Sequence, residues 1–156
     1  MKFNSKIRNP KVSIIIRTKN EEQWIEQCLN KIHKQNYDNY EIIISDNLSD
    51  DGTLKILKNK YGRKKKIKIF TQKKRLNPME NFAFTFEKSS GDIFKWLAHD
   101  DYLKEKDIFE KINQLFNDKY NYIFLNNEVN NLVNNSLIKN YMKTYDDVKK
   151  KEDFLL

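Results

Sequence analysis

Ser90-Gly91-Asp92-Ile93-Phe94-Lys95-Trp96-Leu97-Ala98-His99-Asp100-Asp101-Tyr102-Leu103 is an apolar, aromatic strand that runs directly into two adjacent carboxylates. Buried strands ordinarily finish in a turn former or a single capping residue, so paired acids at such an end call for a partner. Two neighbouring carboxylates repel, and burial sharpens the cost unless a cation or hydrogen-bond donors offset it. A hard divalent cation is one such partner. In extended backbone Asp100 and Asp101 point to opposite sides and cannot share one task. A solvated loop whose acids cap the following helix remains the plain alternative.

Working outward, a second loop of the same kind appears upstream. The apolar strand Tyr40–Ser45 runs into Asp46-Asn47-Leu48-Ser49-Asp50-Asp51-Gly52-Thr53 ahead of another helix. Ser49, Asp50 and Asp51 suit helix capping, whereas Asp46 stands at the strand terminus itself. Lys11 to Arg17 is a continuous β-branched run of the sort found in a parallel sheet covered on both faces, followed by a turn at Thr18-Lys19-Asn20. The next helix is expected to open at Glu21 and Glu22 and to align Trp24, Ile25, Cys28, Leu29 and Ile32 on one buried stripe, with His33 beside it.

Lys66–Thr71 predicts a third strand. Asn77-Pro78-Met79-Glu80 combines a capping residue, proline at the first helical position and glutamate three beyond the cap, which predicts a helix over Pro78–Lys88 with Phe82, Ala83 and Phe86 inward. A helix over Glu105–Asn117, a strand at Tyr122–Leu125, a loop or weak edge over Asn126–Asn135 and a helix opening near Asp146 complete the expectation. Strands alternating with helices make an open α/β sheet, and such sheets take ligands beyond the carboxyl ends of their strands. Both acidic loops fall on that edge.

The 156 residues suit one domain, and a net charge of +8 with a pI near 9.4 favours an anionic partner without choosing it. Much of the excess lies in Arg63-Lys64-Lys65-Lys66 and Lys73-Lys74-Arg75, each a solvated flank or an anion contact. The single cysteine, Cys28, has no disulfide partner in the chain and reads as core, which suits a reducing, cytoplasmic setting.

Three motifs in order carry a family resemblance. Val12 to Asn20 resembles the V-S-I-I-I-P-T-Y-N strand and turn of family 2 glycosyltransferases with the GT-A fold, with Arg17 for the proline and Lys19 for the tyrosine. Asp46 to Thr53 is similar to their D-D/N-x-S-x-D-G-T loop, and Gly91 to Asp101 to G-D/E-Y-I-x-x-L-D-x-D-D, with Ala98 in place of the first acid of D-x-D. The likeness covers residues 11–126, after a polar leader at 1–10 and before a loop and acceptor-side start at 127–156.

The resemblance implies an α/β fold, a GT-A open and mostly parallel sheet flanked by helices and truncated before the acceptor-binding part. It implies that Arg17, Thr18, Asn20, Asp46 and Asn47 hold the base and ribose of a nucleotide-diphospho-sugar, with Asn81 facing the donor and Asp100 on the ribose or diphosphate side. Asp101 would bind Mn2+ or Mg2+, and Arg75, with Lys73 and Lys74, would screen the diphosphate. The implied reaction is inverting transfer to a saccharide or lipid-linked acceptor in surface polysaccharide or glycan biosynthesis, in the cytoplasm, with peripheral association at the inner membrane face a further option. No catalytic base is identified; Asp153, in the Glu152-Asp153 pair, is the one weak candidate. A catalytically incomplete donor-binding module and a sugar-phosphate nucleotidyltransferase are the alternatives, although the latter should carry a glycine-rich loop where Ile16 to Asn20 has none. Binding to nucleic acid through the basic runs leaves both acidic loops unexplained.

Overall fold

In a computed structural model, the structure describes residues 9–98, 103, 105–110, 128–131 and 136–139. The chain divides into two compact units, Met1–Asp118 and Lys119–Leu156. The first contains β1 (Val12–Thr18), α1 (Ile25–His33), β2 (Tyr40–Asp46), α2 (Thr53–Ile56), β3 (Ile67–Thr71), α3 (Pro78–Glu87) and β4 (Ile93–Trp96). After Ile56 the α2 helix widens into a π-helical stretch, Leu57–Tyr61, which buries Leu57 and Tyr61. In the second unit β5 (Glu128–Asn131) pairs antiparallel with β6 (Ser136–Lys139), setting Val129 opposite Ile138. Part of the asparagine-rich segment expected as a loop or weak edge is strand, because the backbone of Val129 and its neighbours finds a ladder partner.

The four strands of the first unit are all parallel, in the order β3-β2-β1-β4. Val12, Ile14, Ile15, Ile16, Ile42, Ile43 and Ile44 have no exposed surface, as a β-branched run covered on both faces requires. Right-handed crossovers put α1 and α2 on one face and α3 on the other, because the third connection runs back across the sheet to reach β4. The direction of winding thus reverses between β1 and β4, the place where such sheets open a crevice.

Two helices differ from expectation in the same informative way. The first begins at Ile25, with Trp24 at its N-cap position and 40% exposed, because Glu21 and Glu22 are held in a turn by the neighbouring loop. Ile25, Cys28, Leu29 and Ile32 are buried as expected. Along α3 the capping box forms in both directions, Glu80 N to Asn77 Oδ1 at 2.9 Å and Asn77 N to Glu80 Oε2 at 2.8 Å. Its buried residues are nevertheless Asn81 and Thr85, while Ala83 and Phe86 are exposed. The sheet under it presents Ser45, whose hydroxyl donates to Asn81 Oδ1, so a polar surface selects a polar helix face. The helix expected over Glu105–Asn117 is described only in its opening turns, with Phe109 fully buried. The Tyr122–Leu125 strand and the segment near Asp146 lie outside the described residues.

The amino end of the sheet is tied by one carboxylate. Glu41, buried near the start of β2, accepts from Ser13 Oγ (2.8 Å), Ser90 N (2.6 Å) and Ser90 Oγ (2.9 Å) and pairs with Lys11 (3.0 Å) and Lys68 (2.9 Å). Burial alone would raise its pKa, but these hydrogen bonds, led by Lys68, bring it down to about 2. Gly91 sits against this junction: a Cβ there would lie 2.6 Å from Lys11 O and 2.8 Å from Ser13 N. Only glycine allows the backbone before β4 to approach β1 so closely.

Candidate donor-site cleft

Asp46 is the last residue of β2, in register with Thr18 at the end of β1. Its side chain is fully buried. Oδ1 accepts from Thr18 Oγ1 at 3.2 Å and from Ser49 Oγ at 2.5 Å, and Oδ2 accepts from Ser49 N at 3.2 Å. The carboxylate thus folds its own loop back onto the strand end.

The β1–α1 turn and the β2–α2 loop are laced together. Ser49 Oγ accepts from Asn20 N at 2.9 Å, and Asn20 Oδ1 accepts from Asp50 N at 3.0 Å. Glu22 N donates to Asp51 at 3.2 Å, Gly52 N to Glu22 at 2.6 Å and Glu21 N to Thr53 Oγ1 at 2.7 Å. The N-cap position of α2 is Gly52, and Asp51 just before it accepts from Thr53 N at 2.9 Å. Desolvation works against its charge, yet hydrogen bonds from Thr53 and Glu22 hold its pKa below the usual carboxylate value. Asn20 and Leu48 have φ near 60°, which asparagine accepts readily and leucine rarely. Lys19 reinforces the strained Leu48 by donating to its carbonyl.

Beside this braced pair of loops lies a cleft of about 250 Å³. Arg17, Thr18, Asn47 and Asn81 line it together, with Trp96 and Ala98 from the β4 side. Asn47 holds the segment entering α3, and that segment holds Arg17, whose Nη1 donates to Pro78 O at 2.7 Å. The guanidinium lies 4.9 Å from the Trp96 ring centre, and its Nε is buried with no hydrogen-bond partner among the described residues. Stacking on an aromatic face lets an arginine sit here half-buried with no carboxylate partner among the described residues.

Of the residues singled out from sequence, Arg17, Thr18, Asn47 and Asn81 therefore converge. Asp46 stands behind Thr18, Asn20 is in the laced turn, and neither it nor Arg75 lines the cleft, although the Arg75 neighbour Leu76 does. Asp100, Asp101, His99 and Asp153 lie outside the described residues. Sequence reasoning missed Trp96, Pro78 and Glu21 as lining residues. The alternation of Phe94 and Trp96 along β4 was the available signal for Trp96, since period two puts both on one face. Among the described residues no three acids, histidines or cysteines come close enough to hold a metal, and the Asp46 oxygens are already engaged by hydroxyls and an amide. The described residues alone thus do not make a metal site, and the cation expectation rests on Asp101.

The model for "Glycosyl transferase family 2" matches residues 13–155. A dolichyl N-acetyl-alpha-D-glucosaminyl phosphate 3-beta-D-2,3-diacetamido-2,3-dideoxy-beta-D-glucuronosyltransferase of Methanococcus voltae is 40% identical over 89 residues, 53% of this chain and 27% of that protein. A GalNAc(5)-diNAcBac-PP-undecaprenol beta-1,3-glucosyltransferase of Campylobacter jejuni is 30% identical over 118 residues, 75% of this chain and 38% of that protein. The chain thus spans well under half the length of these curated relatives. S. aureus TarS in complex with UDP-GlcNAc is similar with a TM-score of 0.62 and 26% identity, covering 67% of this chain and 30% of that one. A mannosyltransferase of Pyrobaculum calidifontis, solved with GDP-Man and Mn2+, has a TM-score of 0.66 at 20% identity over 73% of this chain and 34% of its own, a likeness of fold alone.

Proposed function

This chain belongs to glycosyl transferase family 2, and on that premise we propose that its cleft binds the nucleotide-diphospho-sugar donor of a glycosyl transfer to a lipid-linked saccharide. Its parallel sheet flanked by helices is the GT-A fold. The observation that carries the donor reading is the convergence of Arg17, Thr18, Asn47 and Asn81 on one cleft at the switch point of the sheet. The TarS likeness, to a protein solved with UDP and with UDP-GlcNAc, supports a uridine nucleotide among the donors to try. The names of the M. voltae and C. jejuni relatives support an acceptor carried on a lipid phosphate or diphosphate.

In this reading Thr18, Asn47 and the turn before Glu21 receive the base and ribose, Asn81 meets the donor from α3, and Arg17 supplies positive charge at the cleft wall. Arg75 and its neighbours Lys73 and Lys74 screen the diphosphate from the rim. Asp100 would serve the ribose or diphosphate side, and Asp101 would hold a Mg2+ or Mn2+ ion, which would supply charge stabilisation for a leaving diphosphate. Transfer then proceeds by a single displacement at the anomeric carbon with inversion. Donor binding and orientation are what the described residues contribute.

Thermal melts of the chain with UDP, GDP and their sugar conjugates, with and without Mn2+, test this. A nucleoside diphosphate at a hundredfold excess over its dissociation constant should stabilise the fold by about 2.7 kcal/mol, and Arg17→Ala should lose most of that gain. Absence of a shift with every nucleotide and either metal condition would sink the donor-site reading.

A further inference from the structure

Between Gly52 and Met79 the sequence holds eleven lysines and arginines and no aspartate or glutamate, more positive charge than the whole chain's excess of +8. The fold gathers this stretch onto one side. It comprises α2, its π-helical extension, β3 and the loops at both ends of β3, and β3 is the outermost strand of the described sheet. Three of the cations have internal partners: Lys60 pairs with Glu26, Lys66 with Asp38 and Lys68 with Glu41. The other eight form no ion pair with a described residue, and the Arg63–Lys65 and Lys73–Arg75 clusters are exposed. These two clusters bracket a five-residue strand that is itself about 17 Å long.

We propose that this β3 edge is a docking surface for an anionic membrane. Like charges so concentrated repel one another, and an anionic plane that touches both clusters relieves that repulsion as it adds attraction. Two exposed cationic clusters beyond opposite ends of an outer strand, rather than converging on one concave pocket, fit an extended surface better than a compact ligand. Lysines on an edge strand also discourage edge-to-edge pairing. That role calls for charges along the strand, whereas here the two unpaired clusters stand beyond its ends and the strand's own Lys68 is tied to Glu41. The choice of a membrane over other polyanions rests on the lipid-linked acceptor proposed above. Geometry agrees with that choice: the Lys73–Arg75 cluster adjoins Leu76, which lines the cleft, and Met79 close by is 73% exposed. Contact there brings the cleft mouth to the height of the headgroups. No described helix is long and apolar enough to cross a membrane.

Cosedimentation of the full 156-residue chain with vesicles tests the proposal without nucleotide, so its outcome is separate from that of the nucleotide melts. Vesicles of phosphatidylcholine with about one-third phosphatidylglycerol should retain the chain at low salt and release it as salt rises, whereas pure phosphatidylcholine should not bind it. The triple change Arg63→Gln, Lys64→Gln, Lys65→Gln should weaken partitioning by roughly a hundredfold, and Arg63→Lys, Lys64→Arg, Lys65→Arg should restore it. The glutamine variant should keep its melting temperature and its response to nucleotide, since none of the three residues lines the cleft. Equal binding to neutral vesicles, no binding to anionic ones, an unaffected glutamine variant, or tighter retention by a single-stranded oligonucleotide at the same salt would each overturn the assignment.

Discussion

Asn47 grips Leu76 with both ends of its amide: Nδ2 donates to the Leu76 carbonyl and Oδ1 accepts from the Leu76 N–H, each at 2.9 Å. A side chain thereby imitates one rung of a sheet and fixes the segment that leads into α3, where Pro78 O holds Arg17. Aspartate, frequent at this place in the family by resemblance, lacks the donor.

Asn47→Asp should therefore cost about 1–3 kcal/mol in urea unfolding, as a partly buried carbonyl loses its donor and faces an anion. The same variant should bind nucleotide less well even after correction for stability, because Arg17 loses its fixed position. A variant as stable as the parent would show that Leu76 is held by something else.

The Glu41 cluster sets an acid limit. Its folded pKa of about 2 lies below the ordinary 4.5, so the charged form is favoured by folding. That stability is complete above pH ~4.5 and drains away as pH falls towards ~2, amounting to about 3 kcal/mol in all. Unfolding free energies measured across this window should fall steeply for the parent chain. Glu41→Gln should be less stable at neutral pH and should show a flatter profile; an identical slope in the variant would place the acid sensitivity elsewhere.

Gly91→Ala should destabilise the fold by about 1–3 kcal/mol, since a methyl group must displace the backbone of Lys11 and Ser13 rather than a yielding side chain. Urea titration gives the number directly. An unchanged midpoint would mean that β4 approaches β1 less closely than described.

What was legible in the sequence followed from local pattern. The β-branched runs gave β1 and β2, and Asn77 with Pro78 and Glu80 gave the start of α3 to the residue. Strand alternation with helices gave the parallel sheet, and strand ends gave the edge on which Thr18, Asn47 and Asn81 meet. What escaped depends on distant partners. Glu41 looks like an incidental charge in an apolar strand until Lys68 and Ser90, 27 and 49 residues away, fold onto it. The inward face of α3 was misjudged because Phe86 outranks Thr85 in hydrophobicity, and only the position of Ser45 explains why Asn81 and Thr85 face the sheet. Arg17 replaces a proline in the resemblance, and nothing local foretells that it lies over Trp96, 79 residues on.

The strand order has a consequence for how the chain emerges during synthesis. The ribosome delivers β1, β2 and β3 in turn, and these pair side by side. One flank of β1 stays open until β4 arrives some eighty residues after it, bringing Trp96 and Ala98. For all that interval the nascent protein owns a sheet with an unpaired inner strand and a cleft with one wall missing. The last strand of this four-stranded sheet to be made thus closes the hazard and completes the cleft in a single docking step.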